Sequence, residues 1–196
     1  MIRPLLALLL AAGPAFGAAG TDPDWPCIQR QQPHLSLAQV WSGPAPDEAA
    51  EALVRERPIA LLAERIEQRR MPLDEAEAAI ADFAAEAEPA QLVALMLATF
   101  NRIERDRSAL MAGISRYGRS QVALAERIEQ RRARMEEMEA AETPDFDAID
   151  AEEAALDWDK RIFTERQQQL TYVCETPVIL EQRIFALGRA IQSHLD

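Results

Sequence analysis

The sequence predicts an all-α protein: an elongated helical bundle built on a long antiparallel coiled-coil hairpin, with an irregular N-terminal arm. Three observations carry that prediction. Ala, Glu, Arg, Leu and Gln dominate, the Val, Phe and Tyr residues are scattered singly, and no window alternates apolar and polar residues as a half-buried strand would. Between residues 90 and 143 there is no proline, and apolar residues recur at alternating steps of three and four. Residues 20–46, by contrast, are punctuated by Pro23, Pro26, Pro33, Pro44 and Pro46.

Residues 1–19 read as a secretory leader. Arg3 is followed by the apolar run Leu5–Ala12 and the small-residue stretch Ala15-Phe16-Gly17-Ala18-Ala19. The apolar run is shorter than the roughly 20 residues of a spanning helix, and no cysteine follows at the place a lipid anchor requires. These residues predict an exported chain, periplasmic if its source is a Gram-negative bacterium. The arm, residues 20–46, carries one helical turn near Leu35–Trp41. Trp25 and Trp41 are too apolar to leave in water and are expected to anchor the arm, with a ligand-binding aromatic platform as the alternative role.

Residues 47–196 form the helical domain. Asp47-Glu48 opens a helix with negative charge at the positive end of its dipole, running to about Glu56. Pro58 begins a second helix through Arg70, and Pro72 ends it. A third runs from Leu73 to Ala87, and Pro89 suits the first position of a fourth. That fourth helix carries the strongest pattern in the chain. Val93, Met96, Phe100, Ile103, Arg107, Leu110, Ile114, Tyr117, Gln121, Leu124, Ile128, Arg131, Met135 and Met138 form a coiled-coil seam broken only by Arg107, Gln121 and Arg131. Gly113 and Gly118 are possible kinks within it.

Thr143-Pro144-Asp145 stops this helix and starts the next. Ile149, Leu156, Phe163 and Leu170 recur every seven residues, with Glu153, Lys160 and Gln167 read as the alternate seam positions. The two helices are expected to fold back on each other as a hairpin over about 90–175. A separate last helix is expected from Thr176-Pro177, with the stripe Leu180, Ile184, Leu187 and Ile191.

Cys27 and Cys174 are the only cysteines, and an even pair in an exported chain predicts one disulfide. The segment Leu62–Arg70 recurs letter for letter as Leu124–Arg132. Shared Ala/Glu/Arg vocabulary explains the echo most simply; the sharper reading is two arginine faces, Arg65/Arg69 and Arg127/Arg131, turned to an acidic partner.

The net charge of -12 argues against nucleic acid and against anionic lipid as partners. The only histidines are His34 and His194, so the spacing carries no zinc or iron motif. Ser115 and Ser120 have no histidine near them in sequence to activate them. The carboxylates Asp145, Asp147, Asp150, Glu152 and Glu153 suit a helix start and lack the glycine of a calcium loop. The function expected is therefore non-enzymatic and needs no cofactor: a protein-interaction factor of the cell envelope, whether adaptor, chaperone-like factor or accessory subunit. The candidate partner contacts are Met135, Met138 and Phe146 at the hairpin tip and Trp25 and Trp41 in the arm, and the open seams leave self-association possible. The alternative is a small-ligand pocket lined by Met96, Phe100, Phe163 and Trp158.

Overall fold

A computed structural model describes residues 24–195, which form helices and connecting turns with no strand among them. The leader lies outside the described residues. Chain order is α1 (Leu37–Val40), α2 (Glu48–Leu53), α3 (Arg57–Glu67), α4 (Leu73–Ala84), α5 (Pro89–Glu139) and α6 (Phe146–Gln192).

The caps follow the sequence. Asp47 accepts a hydrogen bond from the Ala50 N–H at the start of α2, and Asp145 accepts one from the Ala148 N–H at the start of α6. At α5, Pro89 occupies the first turn, where its missing N–H costs nothing, and the Gln91 side chain accepts from the Glu88 N–H. Several helices are shorter than expected. Helix α2 ends at Leu53, α3 at Glu67 and α4 at Ala84, each before the proline that was read as its limit. A proline lacks the N–H that would bond the carbonyl four residues before it, and its ring clashes with that carbonyl, so each helix stops about one turn upstream.

The main core surrounds the first turns of α5. Leu92, Val93, Ala94, Leu95 and Met96 are all buried, which marks a helix covered on every side. Ile59, Ala63 and Ile66 of α3, Ala76 and Ile80 of α4, and Leu180, Ile184, Leu187 and Ile191 of α6 pack around it. Helix α5 then continues for 51 residues without interruption through Gly113 and Gly118, roughly 77 Å at 1.5 Å per residue.

Gly118 is not a kink but a landing place. A Cβ there would stand 2.5 Å from the Asp24 carbonyl oxygen and 3.0 Å from Pro26, so only glycine lets the arm lie against α5. Gly188 does the same on α6, where a Cβ would stand 2.9 Å from the Val40 carbonyl oxygen.

Two expectations for α6 are corrected. Thr176-Pro177 does not begin a separate helix: α6 runs unbroken from Phe146 to Gln192 with Pro177 buried inside it. The missing N–H costs the helix one hydrogen bond. The buried stripe Leu180, Ile184, Leu187 and Ile191 holds the chain on course beyond it, and the Thr176 hydroxyl bonds the Tyr172 carbonyl beside it. The polar positions of the α6 repeat are also displaced by one residue, while Leu156 and Phe163 pack against α5 as expected. Glu152 and Asp159 meet α5 through their carboxylates and Arg166 through its backbone carbonyl, where Glu153, Lys160 and Gln167 had been placed. The reason is electrostatic: Arg127 and Arg131 on α5 draw in the carboxylates that can reach them.

Helices α5 and α6 run antiparallel. Arg107 meets Glu181, Tyr117 meets the Arg166 carbonyl, Gln121 meets the Phe163 carbonyl, Arg127 meets Asp159 and Arg131 meets Glu152. All three polar seam positions of α5 thus find a partner on α6, and a shift of one heptad would separate every pair.

Candidate functional site

The arm covers only the base-side half of the α5–α6 pair. The disulfide Cys27–Cys174 ties it to α6 with a Cα–Cα distance of 5.6 Å, closing a sequence separation of 147. Arg107, 1% exposed, donates to Glu181 at 2.6 Å and to the carbonyls of Gln32 and Pro33. Gln31 reaches Ser115, the Leu35 N–H bonds Glu104, and Asp24 pairs with Arg119 at 3.0 Å. Trp41 is buried, its indole N–H on the Pro44 carbonyl, and Trp25 is half-buried with its N–H on the Gln29 carbonyl. Trp41 packs into the main core, whereas the Trp25 bond is local to the arm.

Nothing adjacent to His34 in sequence hints that it lies 3.0 Å from the Ser108 hydroxyl, with Glu104 beside both. Serine, histidine and carboxylate together invite comparison with a hydrolytic triad. The geometry is wrong for one. The same nitrogen, Nδ1, faces both Ser108 and Glu104, at 3.0 and 3.4 Å, whereas a triad places the hydroxyl and the carboxylate on opposite nitrogens of the ring. Ser108 also lies 2.8 Å from Glu104 Oε1, so its proton is already directed at the carboxylate. The trio fastens the arm.

Beyond Arg119 the hairpin has a second apolar cluster made of α5 and α6 alone. Leu124, Ile128 and Leu156 are buried, with Met135, Ile162 and Phe163 half-buried against them. Next to it lies a charged cluster. Asp159, 5% exposed, takes two hydrogen bonds from Arg127, at 2.9 and 2.8 Å, and a third from Arg131 Nε at 2.9 Å. Arg131 also donates to Glu152 at 2.9 Å. The Arg127 hydrogen bond, opposed by desolvation and aided by Arg131, holds the Asp159 carboxyl below the ordinary carboxylate range, and the same bonds raise both arginines.

Such a carboxylate stabilises the fold above its unfolded value, near pH 4, and that contribution is lost as pH falls through the lower folded value. Amide exchange across 124–163 is therefore expected to accelerate below pH 4 before exchange in the 92–103 core does. Asp159→Asn should remove most of that pH dependence while weakening the hairpin at neutral pH.

The expected site residues do not form one surface. Phe146 is 72% exposed at the start of α6, and Met138 is half-buried near the end of α5. Met135 is turned into the second cluster. The four residues proposed for a ligand pocket are not brought together. Met96 and Phe100 belong to the main core, Phe163 to the second cluster, and Trp158 is 60% exposed. An open groove of about 400 Å³ does cross one flank of the hairpin, floored by Ile128 and Phe163 and rimmed by Glu129, Arg132 and Lys160. Among the described residues no cluster of His, Cys, Asp and Glu is arranged to hold a metal ion, and no helix is long and apolar enough to cross a membrane. No family model matches the chain, and no curated protein or solved structure proves similar to it.

Proposed function

We propose that this protein is an exported helical interaction factor of the cell envelope, an adaptor, chaperone-like factor or accessory subunit, that presents a coiled-coil hairpin to a protein partner and carries no catalytic site. The observation that carries the reading is the contrast between the two halves of the α5–α6 pair. One half is covered by the arm and bonded through Arg107 and the disulfide; the other has only a small two-helix core and carries exposed Phe146 at its tip. A large apolar group in water at the end of a rigid projection suits a contact with another protein. The disulfide is consistent with an oxidising compartment and so with export.

The test is crosslinking in the native envelope with a residue-specific photo-crosslinker at 138 or 146. The expected result is a discrete adduct that disappears when Met135, Met138 and Phe146 are all replaced by Ser, while helix content and the disulfide are unchanged. Adducts that survive the triple replacement would show that the tip is not the partner site.

A further inference from the structure

The repeated nonapeptide occupies two different surroundings, and the difference points to a second contact. In the second copy, Arg127 and Arg131 grip Asp159 and Glu152, carboxylates seven residues apart on a helix. In the first copy the helix stops at Glu67 and the chain turns at 68–71 before Pro72. There Arg65 and Arg69 are exposed and form no ion pair among the described residues, and Arg70 bonds only the Gln68 amide oxygen. Arg183 of α6 holds this turn from beneath, donating to the carbonyls of Ile66 and Met71 at 2.8 and 3.0 Å. Its Nη2 is buried without a hydrogen-bond partner. Two of these guanidinium groups, Arg65 and Arg70, line a depression with Met71 and Pro72, and Glu75 is its one carboxylate; Arg69 faces a separate one beside Glu67 and Asp106.

The matching surface lies at the other end of the molecule. From residue 136 to 157 the chain holds ten Asp and Glu and no Lys or Arg. Phe146, Asp150, Glu153 and Asp157 step by four, three and four along α6, so they share one face, and all four are exposed; Asp157 pairs with Lys160 at 3.3 Å, so Asp150 and Glu153 are the stripe's carboxylates without an ion pair among the described residues. We propose that this acidic, phenylalanine-headed stripe docks on the arginine turn of a second copy of the chain. Phe146 would rest on Met71 and Pro72, and the carboxylates would take the charge-assisted hydrogen bonds that Arg65 and Arg70 leave unused.

The contact cannot form within one molecule. Helix α3 is fastened to α5 by Arg102, which pairs with Glu64 and Glu67, and Arg102 lies roughly 55 Å from the α5 terminus at 1.5 Å per residue. Joining unlike surfaces makes the interface heterologous, so each chain offers a free turn and a free tip to the next and assembly proceeds head to tail. The proposal rests on the reading of the tip as a docking end and names its occupant.

Sedimentation velocity of the full mature protein tests it. At about 0.1 M salt, with a Debye length of about 10 Å, the repulsion between distant acidic charges is screened and contact pairs persist; at about 1 M, with about 3 Å, they should not. The expected result is a mass that rises with concentration beyond the dimer in the first buffer and a monomer in the second. Arg65→Glu with Arg70→Glu should be monomeric, as should Asp150→Arg with Glu153→Arg. An equal mixture of the two should assemble beyond the dimer again, because the native pair and the charge-swapped pair are both complementary. The neutral versions, Arg65→Gln/Arg70→Gln and Asp150→Asn/Glu153→Gln, should weaken assembly at least about tenfold with unchanged helix content. The proposal is overturned by a wild type that stays monomeric, by charge variants that assemble like it, or by a mixture that fails to pair. A monomeric wild type whose tip replacements still abolish envelope adducts would leave the tip reading intact and remove only the second copy as its occupant.

Discussion

Cys174→Ser is expected to lower the unfolding free energy by about 5 kcal/mol, the chain-entropy figure for a closed loop of this length, since the bond joins residues separated by 147 positions. The loss should be read by urea denaturation of the variant beside the oxidised wild type. Limited proteolysis should show the first new cut within residues 24–36, because the bond fastens that segment to α6. The cluster around the main core does not depend on Cys27, so the helical signal should persist after the arm is cut. A stability change below about 1 kcal/mol, with the arm still protected, would mean that its polar contacts hold it without the bond.

Arg107→Ala carries the second-largest expected effect. The guanidinium is almost fully buried on the seam and binds Glu181, the Gln32 carbonyl and the Pro33 carbonyl. Removing it leaves a partly exposed carboxylate and two carbonyls without their donor, at a cost of about 3 kcal/mol. Arg107→Lys should recover little, since one ammonium cannot reproduce a planar fork that bonds a carboxylate and two carbonyls. Because Arg107 and Cys27 secure the same segment, the double variant with Cys174→Ser should lose less than the two single losses combined. Full additivity in denaturation would show that the arm has two independent attachments.

The long helices were legible because their signals are local and redundant. Val93, Met96, Phe100 and Ile103 lie on the seam of α5, and Pro89 and Pro144 bracket it. The staple was legible because two cysteines permit only one pairing within the chain. Less legible was the role of the polar seam residues. Arg107, Gln121 and Arg131 interrupt the heptads, and nothing adjacent to them in sequence names Glu181, the Phe163 carbonyl or Asp159 as partners. The one-residue error in the polar positions of α6 has the same origin. Apolar spacing alone cannot place a charged residue inward when its stabilising partner lies on another helix.

The echoed nonapeptide marks the boundary most sharply. Identical residues at 62–70 and 124–132 have the same local propensities, yet the first leaves the helix at Gln68 and the second continues to Glu139. Pro72 explains the break, and that much is written in the sequence. Whether the arginines meet carboxylates was decided by which helix lies across from them: α6 brings Asp159 to Arg127, whereas Arg65 forms no ion pair among the described residues. By itself the sequence determined the helical class, the extent of α5 and the start of α6, the pairing of the cysteines and the acidity of the tip, because each depends on residue type and spacing along one segment. Only the tertiary structure decided which polar groups are buried, where the arm stops covering the hairpin, and that Gly118 is a contact surface, because burial and ion pairing depend on neighbours brought in from distant parts of the chain.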